Sequence, residues 1–102
     1  MFQLVLQFSP WDGAEFEELV DLEDRVARAI GDAGLVDGHD AGSNEANIFI
    51  HTAQPEVVFK ICLGIVRQSD LADRFAAASR PLRGEKYTRL WPAKDKATFR
   101  VA

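Results

Sequence analysis

Hydrophobic periodicity switches between two and 3.6 several times along this chain, and the order of those switches restricts the fold more than any single residue. Phe2, Leu4, Leu6 and Phe8 alternate with Gln3, Val5 and Gln7, the pattern of a strand with one buried face. Ser9-Pro10 ends it, because proline offers no amide to a ladder. Helical spacing follows. A helix is expected from about 13 to 33, burying Phe16, Leu19, Val20, Val26, Ala27 and Ile30, with Gly34 as its left-handed stop. Asp12 can cap it, Glu15 can reach back to the Asp12 amide, and Trp11 with Phe16 can form a hydrophobic staple.

Leu35 and Val36 open a second strand, and Ala46 to Thr52 form a third. Residues 41–45 between them have the length of a hairpin loop, with Gly42 and Asn44 suited to positive φ. Pro55 starts a second helix, expected to bury Val58, Ile61, Cys62 and Ile65 and to end near Arg67. A strand is expected over 74–82, a turn over 83–86, and a strand over 87–91, where Tyr87, Arg89 and Trp91 alternate with Thr88 and Leu90 before Pro92. The tail, 97–101, is expected to add an edge strand or to fray. The order strand, helix, strand, strand, helix, strand implies a ferredoxin-like α+β sandwich (βαββαβ): two helices on one face of an antiparallel sheet, extended by a C-terminal hairpin. Gln3, Val5 and Gln7 are too polar for a deep second core, and suit water or a homodimer contact.

All 102 residues fit one domain, since a split would leave neither half with a core. A lone cysteine, Cys62, cannot form an internal disulfide, and its apolar helical setting points to a buried thiol rather than a nucleophile. The opening MFQLVLQFSPWDG carries no basic leader or small-residue cleavage site, and apolar residues nowhere run for the ~20 positions of a membrane span. The expectation is a cytoplasmic protein of bacterial type.

Net charge is −4, unfavourable to general nucleic-acid binding, but it is unevenly spread. Residues 1–50 set eleven acids against Arg25 and Arg28, a balance of −9, and residues 51–102 carry +5. An acidic helix beside a basic hairpin would let the halves offset each other.

The polar residues gather in DGHDAGSNEANIFI, residues 37–50. Asp37, His39, Asp40, Ser43, Asn44, Glu45 and Asn47 are the candidate contact residues. Three readings are open. Their side chains can bond neighbouring amides in a decorated turn. They can present a polar tip to a partner or ligand, since sites concentrate on loops held by rigid elements. Or His39, Asp40 and Glu45, with His51 from the next strand, can form a metal or catalytic site. Against the last, adjacent His39 and Asp40 point to opposite faces of a strand, and the spacing matches neither a metal-ligand motif nor a calcium loop. Ser43, His39 and Asp40 are triad residue types but lie within one short turn, and no nucleophile elbow, P-loop or dinucleotide fingerprint is present. No catalytic residue, metal or cofactor is assigned.

An RNA-recognition reading needs aromatics on the open face of the central strands, and the sequence offers Phe49 alone there. Arg80, Arg83, Lys86, Arg89, Lys94, Lys96 and Arg100 read as a solvated basic hairpin. The DGHDAGSNEANIFI run, the proline-started helix after it and the late YTRLWP resemble a group of small bacterial proteins of unassigned function. That resemblance implies a compact α+β fold and no particular activity.

The sequence thus points to a non-enzymatic binding or regulatory module that contacts a protein or small ligand through residues 37–47. The alternatives are a small enzyme or ligand binder using His39, Asp40 and Glu45, and an acidic inhibitor of immunity type.

Overall fold

The computed structural model describes residues 1–42, 44–94 and 97–101. Strand β1 (Phe2–Phe8) leads to helix α1 (Phe16–Ile30), the hairpin β2 (Leu35–Gly42) and β3 (Glu45–Thr52), helix α2 (Pro55–Val66), and strands β4 (Phe75–Pro81) and β5 (Thr88–Trp91). The five strands form one antiparallel sheet in the order β2-β3-β1-β4-β5. The fold class is therefore α+β, and β5 makes the sheet one strand wider than a plain βαββαβ unit. No helix among the described residues is long and apolar enough to cross a membrane.

Period-two alternation sorts the central strand as expected. Leu4, Leu6 and Phe8 of β1 join Ile48, Ile50, Phe75 and Ala77 in a core shared with Leu19, Leu22, Val26 and Ile30 of α1 and Val58, Phe59, Cys62 and Val66 of α2. Both helices thus cover one face of the sheet. The stripe on α1 is narrower than its composition suggests: Phe16 and Val20 are 45% and 40% exposed, Ala27 is exposed, and Leu22 is buried instead. On α2, Phe59 and Val66 are buried while Ile61 and Ile65 lie at the rim.

The start of α1 departs from the expected capping box. Asp12 Oδ1 accepts from the amide of Ala14 at 2.9 Å, two residues on, so the chain turns before the helix begins. Glu15 is the N-cap without a side-chain cap bond, and its carboxylate goes to Arg74, which precedes β4. Trp11 is buried in the core away from a staple with exposed Phe16. The end differs too. Helix α1 passes into a 3-10 turn, Gly31–Ala33, and it is Gly31 that takes positive φ, 51°. Gly34 is extended and fits for a different reason: a Cβ there would lie 3.1 Å from the carbonyl oxygen of His51, a tight contact.

Hydrogen bonding to Arg74 holds the Glu15 carboxyl below its ordinary value. The pair therefore stabilises the fold above the ordinary glutamate pKa, and that contribution is lost as pH falls through the lowered folded value. Glu15→Gln is expected to flatten the acid limb of the stability–pH curve, read from urea midpoints; an unchanged limb would mean that the link does not form.

The sheet's second face is not left to water. The described tail, 97–101, adds no strand and lies across it. Phe99, 6% exposed, closes a second cluster with Val5 and Ala78, against which Phe49, Ala76, Tyr87 and Val101 pack. Val5 and Ala78 are fully buried, so the expectation of a polar open face fails where the tail supplies a lid of two apolar residues. Arg89 helps fasten it, donating to the Ala97 carbonyl at 3.1 Å and stacking over Phe99 at 5.4 Å. Arg80 donates to the Gly84 carbonyl and stacks over Tyr87. The expected solvated hairpin thus uses these two basic residues in its own architecture. Lys96 lies outside the described residues.

Cys62 is buried on α2, and burial pushes its thiol up to about 12. A thiol so protonated does not attack disulfide reagents. The native protein is expected to resist labelling at mildly alkaline pH and to react fully in concentrated guanidinium; rapid native labelling would place Cys62 at the surface.

Candidate functional site

Strands β2 and β3 form the finger that carries the candidate residues. They pair from Leu35↔His51 to Gly42↔Glu45, so the hairpin closes more tightly than a five-residue loop. Asn44 takes positive φ as expected, 69°. Gly42 does not, and Gly38 does, at 115°. Gly38 sits at a register shift between Val36 and Gly38 that leaves Asp37 as the extra residue of a β-bulge. Ser43, another candidate, lies outside the described residues.

Alternation then distributes the polar side chains over both faces. Asp40, Glu45 and Asn47 come together on the face opposite the helices. Asn47, 1% exposed, donates through Nδ2 to Asp40 Oδ1 at 3.0 Å and to Glu45 Oε2 at 2.9 Å. Its Oδ1 accepts from Gln7 Nε2 at 3.1 Å, and Gln7 also donates to the Arg100 carbonyl at 2.8 Å. The buried amide is satisfied on both its nitrogen and its oxygen, and it ties the finger to β1 and the tail.

His39 points the other way, under α1. Its Nδ1 donates to Glu23 Oε2 at 2.9 Å, and its ring meets Phe16 edge-on at 5.6 Å between centroids. Phe16 and Glu23 stand seven residues apart on one stripe of α1, and together they clamp the finger to the helix. His51 lies on the face opposite the helices, where its Nε2 is 3.5 Å from Asp37 Oδ2. The two histidines are therefore on opposite faces, and the sequence-level approach of His51 to His39 does not occur. Without the bulge, strict alternation would set Asp37 beside His39; with it, Asp37 turns towards His51.

The proposed set of His39, Asp40 and Glu45 is thus divided by the sheet. Among the described residues, no group of three or more histidine, cysteine, aspartate or glutamate side chains is placed to hold a metal ion. Sequence reasoning missed Gln7, Glu23 and Phe16. Polar Gln7 in an otherwise apolar strand was the available signal for the first; the other two needed the packing of α1 on β2.

The outer edge of the finger has a different character. Among the described residues, strand β2 ends the sheet and pairs with β3 alone. Beside it runs an open groove of about 520 Å³, floored by Val20, Ala27 and Val36 and rimmed by Glu17, Asp21, Glu23 and Asp24. Arg28 neutralises Asp24 at 2.6 Å, and Glu23 is held by His39. Leu35, at the start of the edge, is 65% exposed. Comparison with protein families, with curated proteins and with solved structures gives no match.

Proposed function

We propose that this chain is a ferredoxin-like module widened by β5, and that it acts as a non-enzymatic binding protein whose contact surface is the acidic outer side of the β2–β3 finger. The order β2-β3-β1-β4 with both helices on one face supports the fold reading. The observation that carries the functional reading is the division of the finger. Its inward groups satisfy one another, while an unpaired strand edge flanked by acids stands open to solvent. A small enzyme built on His39, Asp40 and Glu45 gains no support from residues on opposite faces of the sheet. The acidic-inhibitor reading is the specific form that the charge of α1 favours, since such a surface selects a basic partner.

A photoreactive amino acid placed at exposed Ala41 tests this in a lysate of the cells that make the protein. Cross-linking to a protein partner is expected from position 41 and not from exposed Glu85 on the far side of the fold. Cross-linking from 85 alone, or protein capture from neither position, contradicts the reading.

A further inference from the structure

We infer that β2 accepts an additional strand: an extended lysine- or arginine-rich segment of a partner protein, paired along His39–Gly42 and continuing past the bulge into the groove between Val36 and α1. This rests on the binding-module reading above and names the chemistry of its partner.

An edge strand presents a row of unpaired amides and carbonyls, the main-chain half of a strand-addition site. The bulge at Asp37 disturbs the edge upstream, so the regular run is His39–Gly42. That run is held in place before any partner arrives, because Glu23 and Phe16 fix His39 from above and the Asn47 network fixes Asp40 from below. Pre-ordering removes part of the entropy cost of docking.

Side chains of an added strand would alternate between two environments. On the helix side they meet Val20 and the carboxylates of Glu17 and Asp21. On the other side they meet Asp37 and Asp40. Both favour cationic residues, and the apolar groove floor suits their aliphatic stems. The same charges reject a second copy of this chain. Antiparallel pairing of two β2 edges would bring Asp37 and Asp40 of each against those of the other, with an acidic α1 on either flank.

The probe is an acetylated, amidated, fluorescein-tagged peptide alternating lysine with valine or threonine, followed by anisotropy against the full chain. Saturable binding is expected. Affinity should fall about tenfold or more as salt rises from about 0.01 M to about 1 M, where the screening length shrinks from ~30 Å to ~3 Å. The Glu17→Lys/Asp21→Lys variant alters exposed helix positions that leave the core intact, and should bind about tenfold more weakly. The same peptide N-methylated along one edge keeps its charge but cannot donate to a ladder, and should lose binding by a similar factor. Equal affinity for the N-methylated peptide, no saturable binding, or light scattering showing a dimer of this chain that excludes the peptide would each overturn strand addition. A partner cross-linked at Ala41 together with equal affinity for the N-methylated peptide would sink the strand and leave the binding-module reading standing. Cross-linking from Glu85 alone would sink the reading itself.

Discussion

Phe8→Ala is expected to destabilise the protein by about 3–5 kcal/mol, the largest effect of any single truncation considered. Phe8 ends the central strand, is fully buried, and stacks on Phe75 with ring centroids 5.5 Å apart. Its neighbours across the ladder are Ala46 on β3 and Phe75 on β4, so its ring sits where three strands meet beneath the helices. Alanine would remove that ring from a site that backbone pairing on both sides keeps from collapsing. Domains of this size are stable by only about 5–15 kcal/mol, so the loss is a large fraction of the total. It should lower the thermal midpoint by at least about 12 °C, at ~4–8 °C for each kcal/mol. Urea denaturation with an unchanged slope measures it. A loss below about 1 kcal/mol would mean that Phe8 is not buried between sheet and helices.

Asn47→Asp is expected to cost about 3–5 kcal/mol at neutral pH, although it exchanges one nitrogen for an oxygen. Asn47 donates both of the bonds to Asp40 and Glu45 described above, and it is buried. The substitution removes both donations and sets a third carboxylate between two others. Burial and like charge both raise the folded pKa of the introduced carboxyl above its unfolded value of about 3.9. A group so raised is tolerated below the unfolded value and becomes destabilising as pH rises through the folded one. The gap from the wild type should therefore be small in acid and widen towards neutrality. Asn47→Leu loses the same bonds without adding charge, and should cost about 1–3 kcal/mol with little pH dependence of its own. Identical pH profiles for the two variants would show that Asp40 and Glu45 do not face position 47.

What could be read in advance follows from how local each determinant is. Strand β1 and the β2–β3 hairpin declare themselves by alternation, because Leu4, Leu6, Ile48 and Ile50 need only their own strand to choose a face. The opposition of His39 to Asp40 is legible for the same reason. The bulge is not, since it depends on Gly38 taking positive φ against Phe49 of the neighbouring strand, and it is what puts Asp37 and His39 on opposite faces. Phe16 reads as core by its apolarity, yet the turn made by Asp12 delays the helix and leaves Phe16 over His39 at the rim. The tail shows why a period-two pattern is ambiguous: Phe99 and Val101 share a side, as in an edge strand, but the side they bury is against the sheet's face. Polar links such as Gln7 to Asn47 span forty residues, and no local pattern encodes their register.

Amide hydrogen exchange along 37–52 tests the central claim most directly, that the outer edge of β2 is open and is where a partner docks. The β3 amides should be protected in the free protein, those of β2 that point away from β3 should exchange rapidly, and the alternating lysine peptide should slow the latter group alone. Slow exchange at the outer β2 amides before any peptide is added, or rapid exchange that saturating peptide leaves unchanged, would contradict it.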